Sequence, residues 1–177
     1  MKVTARKMLK AQQGVGMIEI LVAILVVAVG VLGYAGMQMF ALRGAETASY
    51  RTQATLVAKD ALERLLVNSA TAAGDIYFDV TSWPATSAAS GGNFPTACMG
   101  AAACTPDVQA AADIAQLSWI VSNTLPLGMI AARDGCTGVG TPSCVVVSWQ
   151  GAAPADCFVG DVISTSEPCV VMEARRP

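Results

Sequence analysis

The sequence predicts an α+β chain: a long N-terminal helix, transmembrane in its first half and amphipathic in its second, packed on a small C-terminal antiparallel sheet. Three observations predict it. The apolar run 15–42 carries a single charge, Glu19. A helical pattern continues through residues 43–68 with no proline. Short apolar segments separated by Gly- and Pro-containing turns fill the C-terminal part.

The run 15–42 has 28 residues, about 42 Å as helix, more than the roughly 30 Å of a hydrocarbon core. Lys2, Arg6, Lys7 and Lys10 precede it with no acid among them, which places the N-terminus in the cytoplasm and the remainder outside. A secretory signal peptide is the other reading. The run is longer than a 7–15-residue apolar region of that kind, and no small-x-small site closes it, though its glycines soften that objection.

Residues 43–68 contain one breaker, Gly44. Val57, Ala58, Ala61, Leu62 and Leu65 share one side of the wheel; Lys59, Asp60 and Glu63 lie opposite. Lys59/Glu63 and Asp60/Arg64 are i,i+4 pairs. One continuous helix over 15–68, about 80 Å long, follows. Leu56 and Val67 interrupt its polar side, read as isolated exposed residues, the other reading being contact with a neighbouring subunit.

The stretch 81–106 is rich in Ser, Ala, Gly and Pro and reads as a long surface loop. Thr105, Pro106 and Asp107 are a helix start: cap, first-turn proline, and acid at the positive end. That helix runs to about Thr124, with Val108, Ala111, Ile114, Ala115, Ser118, Trp119, Val121 and Leu125 on its buried face. Gln109, Asp113, Gln116 and Asn123 are expected outside, and Trp119 is expected in the core. Strand candidates follow at Met129–Arg133, 145–150, 157–163 (broken by Gly160) and 169–175. Val145, Val147 and Trp149 share one side of the second, and short connections favour hairpins.

Composition excludes several functions. There is no histidine among 177 residues, so Ser-His-Asp and Cys-His catalysis and His-containing zinc sites are ruled out. No glycine-rich phosphate loop occurs. Beyond Gly14 the chain has seven basic and thirteen acidic residues, a balance that does not favour nucleic acid as a partner. No catalytic, metal or cofactor-binding residue is called for. The six cysteines, Cys98, Cys104, Cys136, Cys144, Cys157 and Cys169, form no C-x-x-C. An even count on the non-cytoplasmic side reads as disulfides, with a metal site as the weaker alternative. Sequential pairing, Cys98–Cys104, Cys136–Cys144 and Cys157–Cys169, encloses short loops and is the expected choice among fifteen for six cysteines.

A basic leader ending in Gly14, then four residues, then Glu19, then an uncharged stretch, resembles the class III signal of type IV pilins and pseudopilins. The family pattern is roughly Gly-Phe-Thr-Leu-Ile-Glu; here it reads Gly14-Val15-Gly16-Met17-Ile18-Glu19. The resemblance implies the type IV pilin fold and cleavage of leader 1–14 after Gly14 by prepilin peptidase. It implies a new, N-methylated terminus at Val15, although the family commonly has Phe there. It assigns to Glu19 the neutralisation of the α-amine of an adjacent subunit. The other reading of Glu19 is a carboxylate reaching to headgroups.

Gly30, Gly33, Gly36 and Gln38, with "DIAQLSWIVSNTLPLG" later, resemble the PilV branch of minor pilins. Major pilins carry a proline in the span; this chain has none, and the three glycines are the candidate place for any unwinding in a fibre. The domains implied are 1–14 leader, 15–42 transmembrane half-helix, 43–68 amphipathic half and 69–177 periplasmic head. The implied partners are the major pilin, other minor pilins, inner-membrane lipid and a tip adhesin. The alternatives are a pseudopilin of a type II secretion system and, from another class, an anchored periplasmic enzyme.

Overall fold

Residues from Met17 onward carry no proline until Pro84, and the backbone takes the helical course this permits. The computed structural model describes residues 14–68, 76–100, 104–136, 142–160, 162–164 and 167–174. Most of the expected leader, residues 1–13, lies outside them, as do Arg175 and 101–103 of the expected loop. Helix α1 is Met17–Val67, 51 residues unbroken through Gly30, Gly33 and Gly36. The chain divides into two compact units, Met1–Ala45 and Glu46–Pro177.

In the second unit α1 buries Ala54, Val57, Ala58, Ala61 and Leu65, the i, i+3, i+4, i+7 spacing of one helical face. Leu62 packs partly against the same core. Leu56 and Val67 are 64% and 90% exposed. Of the two expected pairs, Arg64–Asp60 forms, at 3.1 Å; no ion pair joins Lys59 to Glu63 among the described residues.

Helix α2 is Pro106–Thr124. Thr105 precedes it in extended backbone but makes no side-chain cap bond, so the helix start rests on Pro106 and Asp107 rather than on the threonine cap. At its end the Leu125 N–H donates to Val121 O, 2.9 Å. Gly128 then passes so close that a Cβ would stand 2.5 Å from that same carbonyl oxygen; only glycine closes this turn.

The expected buried face of α2 is partly wrong. Val108, Ala111 and Ala115 are exposed, whereas Asp113 and Gln116, expected outside, are buried. The real apolar stripe is Ala110, Ile114, Leu117, Val121 and Leu125. Trp119 is partly exposed rather than core.

The main sheet has order β1-β2-β5, with β1 Met129–Arg133, β2 Ser143–Ser148 and β5 Cys169–Ala174, all antiparallel. The second strand therefore begins and ends two residues earlier than the 145–150 expected. The expected single strand 157–163 is a hairpin instead. Its strands are β3 Phe158–Val159 and β4 Val162–Ile163, and it turns at Gly160, whose φ of 62° suits glycine. The loop expected at 81–106 starts inside a 3-10 turn, Val80–Ser82, capped by the Asp79 carboxylate. Trp83, just after it, is buried and donates its indole N–H to Tyr77 O, 2.7 Å.

β2 is buried at every residue because both of its faces are covered. Val145, Val147 and Trp149 join α1, α2, Tyr77, Phe78 and Trp83 in the main core. Cys144 and Val146 face a second, smaller cluster of Cys136, Cys157 and Cys169. The disulfides are Cys98–Cys104, Cys136–Cys144 and Cys157–Cys169. The last two thus make up most of an apolar layer as well as cross-linking it. Replacing the Cys157 and Cys169 pair by alanine is expected to cost about 2–4 kcal/mol. A wild-type thermal melting curve for that double variant, or for the native chain under reductant, would show that the bridges contribute nothing.

Candidate functional site

From Met17 to Leu42 the first unit is an apolar helix surface that nothing covers among the described residues. Its most apolar 18-residue window has mean hydropathy 2.6 and no buried residue. Ile18, Leu25, Leu32 and Phe40 are all largely exposed. In water such a surface costs roughly 25 cal/mol per Å2; lipid or neighbouring helices must cover it. Ala, Val, Leu and Ile on every side make this a helix with no polar face to offer water.

Glu19 stands in the first turn of α1, where the helix dipole favours a carboxylate. Its backbone N–H donates to Gly16 O, 3.0 Å. Among the described residues no ion pair involves Glu19, and the next basic residue along the chain is Arg43, about 36 Å up the helix. Gly14, Val15 and Gly16 precede the helix in exposed, irregular backbone. Cβ atoms built at Gly30, Gly33 and Gly36 meet nothing within 4 Å, so no packing inside this chain requires glycine there.

The head contains a charged junction that the sequence did not reveal. Arg64 of α1 donates from Nη1 to Gln116 Oε1 at 2.9 Å and to Asp113 Oδ1 at 3.3 Å. Asp60 takes the other edge of the guanidinium. Asp113 is 5% exposed and also accepts from the Tyr77 hydroxyl, 2.5 Å, and from Gln109 Nε2, 3.0 Å. Asn68 Nδ2 closes the junction by donating to Pro106 O, 2.9 Å.

Burial alone would pull the Arg64 guanidinium down, but bonding and attraction to Asp60 and Asp113 outweigh it and hold the group above its usual value. Burial, then the bond to Asp113, pushes the Tyr77 phenol far above its ordinary 10.0. The phenol therefore stays protonated and donating. An open groove of about 420 Å3 borders Arg64, Glu63, Met99 and Gln109, so the arginine keeps one edge near water.

Trp119, expected in the core, instead holds the loop. Its Nε1 donates to Gly92 O, 2.7 Å, and its ring meets Phe94 edge-on at 5.1 Å. Gly91 N–H donates to Asn123 Oδ1, 2.8 Å, and Gln116 Nε2 to Ala97 O, 3.2 Å. The one signal for this in the sequence was polar spacing: Asp113, Gln116 and Asn123 recur every three to seven residues on α2, a stripe that wants partners.

Among the described residues no group of three Cys, Asp or Glu side chains is placed to hold a metal. The geometry offers instead an apolar helix surface that needs cover and, in the second unit, a disulfide-linked head with its own core. Residues 36–115, somewhat under half of the chain, match the family model described as Type IV pilin Tt1218. No match is found among curated proteins or among solved structures. The matched stretch covers the end of the apolar run, the helical face of the head, the loop and the start of α2, and together with the exposed helix and its small antiparallel sheet it supports a type IV pilin subunit.

Proposed function

We propose that the chain is a minor pilin of the PilV type, made as a prepilin and built into, or initiating, a type IV pilus. One observation carries the reading: a helix that begins at Met17, three residues after Gly14, and whose first half is uncovered, with Glu19 in its first turn as the one charge over residues 17–42. Prepilin peptidase cuts after Gly14 and releases leader 1–14, and Val15 becomes the N-methylated terminus. Residues 15–42 anchor the subunit in the inner membrane, with the N-terminus cytoplasmic, until it is lifted into the fibre. Residues 43–68 and the head, 69–177, lie in the periplasm. The partners are the major pilin and other minor pilins, and a tip adhesin is the candidate cargo. The subunit works by packing, without catalysis or cofactor.

Within the fibre the glycines at 30, 33 and 36 let a neighbouring helix approach closely. The irregular, exposed backbone at Gly14 and Val15 suits a peptide bond that a protease must grip. Gly14→Val is expected to leave all of the chain uncut. N-terminal sequencing and intact mass of the membrane-extracted variant read this directly. A mature terminus at Val15 in Gly14→Val, or a wild-type terminus elsewhere, would overturn the assignment.

A further inference from the structure

The three disulfides sit in two different surroundings. Cys136, Cys144 and Cys157 are at most 1% exposed, and Cys169 is 8% exposed. Those four side chains and Val146 form one apolar layer, with Phe158 and Val171 packed against it. A reductant must open that layer to reach either inner bridge. Cys98 and Cys104 are only half-buried. Cys98 also borders the open groove of about 420 Å3 beside Arg64, and its neighbour Met99 is largely exposed.

Less holds this outer bridge shut. Its cysteines stand 6 residues apart, against 8 and 12 in the inner bridges, so it restrains the unfolded chain least. Cys98 sits at φ 61°, a left-handed conformation that L side chains avoid, and an open bridge lets it relax. The loop before it has ties of its own, from Trp119 to Gly92 O and from Gln116 to Ala97 O. We propose that Cys98–Cys104 is a redox latch, opened by a dithiol in the folded head while the two inner bridges stay closed. The step is thiol–disulfide exchange. A thiolate of the dithiol attacks Cys98 Sγ, the Sγ–Sγ bond breaks, and Cys104 leaves as the thiolate. Asp60 and Glu63 border the same groove as Cys98 and disfavour a thiolate there, so Cys104 is the leaving sulfur. The second sulfur of the dithiol then displaces Cys98. The dithiol ends as its own disulfide, and two electrons and two protons end on Cys98 and Cys104. Opening unties Cys98 and Met99 from the start of α2 and loosens one border of the groove beside Arg64.

Partial reduction of the full chain in detergent with dithiothreitol, then iodoacetamide and peptide mapping, tests this. Cys98 and Cys104 are expected to be alkylated about tenfold faster or more than the other four, while the head still melts within a few degrees of the oxidised chain. The monothiol β-mercaptoethanol, quenched early, should leave its mixed disulfide on Cys98 and the alkyl group on Cys104. The Met99 N–H, which donates to Thr96 O at 3.2 Å, should exchange about tenfold faster once the latch is open, with the Val121 amide unchanged.

An inner bridge that opens first, or at the same rate, overturns the latch. So does a Cys98–Cys104 bridge that is reduced only in urea strong enough to unfold the head. A mixed disulfide on Cys104 overturns the direction of attack, and unchanged exchange at Met99 overturns the release. The variant Cys98→Ser with Cys104→Ser gives an independent check. It is expected to fold with both inner bridges formed and to melt within a few degrees of wild type. A double variant that fails to fold makes the bridge structural and overturns the latch.

Discussion

Glu19→Ala is expected to insert, to be cut after Gly14, and to be missing from the fibre. The variant chain loses its only charge in the run 15–42, so insertion becomes easier: a carboxylate at mid-membrane costs about 2.5–3.5 kcal/mol. On the proposed reading, what it loses is the counter-charge for the amine that cleavage after Gly14 would create on a neighbour's Val15. An isolated ammonium in oil is far costlier than a paired one. The nearest basic side chain along α1, Arg43, is too far to serve Glu19 from within the chain. A drop in fibre content of about 10- to 100-fold, or roughly 1.4–2.7 kcal/mol, is the expected scale. Glu19→Gln keeps the shape and should fail in the same way. Immunoblots of sheared fibres against membrane fractions measure it. Wild-type content for either variant would remove the proposed role of Glu19.

Asp113→Ala is the second large effect, and it acts on the head alone. It strips the acceptor from Tyr77 and one partner from Arg64 in a place where Asp113 is nearly closed to water. Losing a buried charged acceptor in this way costs about 2–4 kcal/mol, the upper limit being set by the exposed edge of Arg64 and its remaining bond to Asp60. That corresponds to a melting point lower by about 10 °C. Asp113→Asn should fall between, because it keeps an acceptor and loses the charge. Gln116→Ala, which removes a neutral partner, should cost about 1 kcal/mol. If Asp113→Ala melts with wild type in detergent, the junction contributes no stability.

The long helix and the small antiparallel sheet were legible in the sequence because each rests on periodicity, and periodicity is local. The stripe Val57, Ala58, Ala61, Leu65 needs no knowledge of its partner to be seen. The face of α2 was misread for the opposite reason. A wheel sends Asp113 and Gln116 outward on polarity alone, whereas Arg64, 49 residues earlier than Asp113, pays for their burial. Alanine helped to mislead: Ala111 and Ala115 are as much at home in water as Ala110 is in the core. β2 showed one face, Val145 and Val147, but not the other, because Cys144 and Val146 are covered by cysteines that only the disulfides bring near. The hairpin at 157–163 hid within one short apolar stretch interrupted only at Gly160 and Asp161. The first-turn Glu19 was the clearest single signal, since an acid in such a run has no reason that composition supplies.

The bonds that fasten the loop to α2 have one property in common. Trp119, Asn123 and Gln116 all seize main-chain atoms, at Gly92, Gly91 and Ala97. Apart from Phe94, the side chains along that stretch are not what keeps it in place. Its course over the helix is therefore set by main-chain bonds rather than by the identity of its outer side chains. Exchanging an exposed side chain there is accordingly expected to cost the fold little.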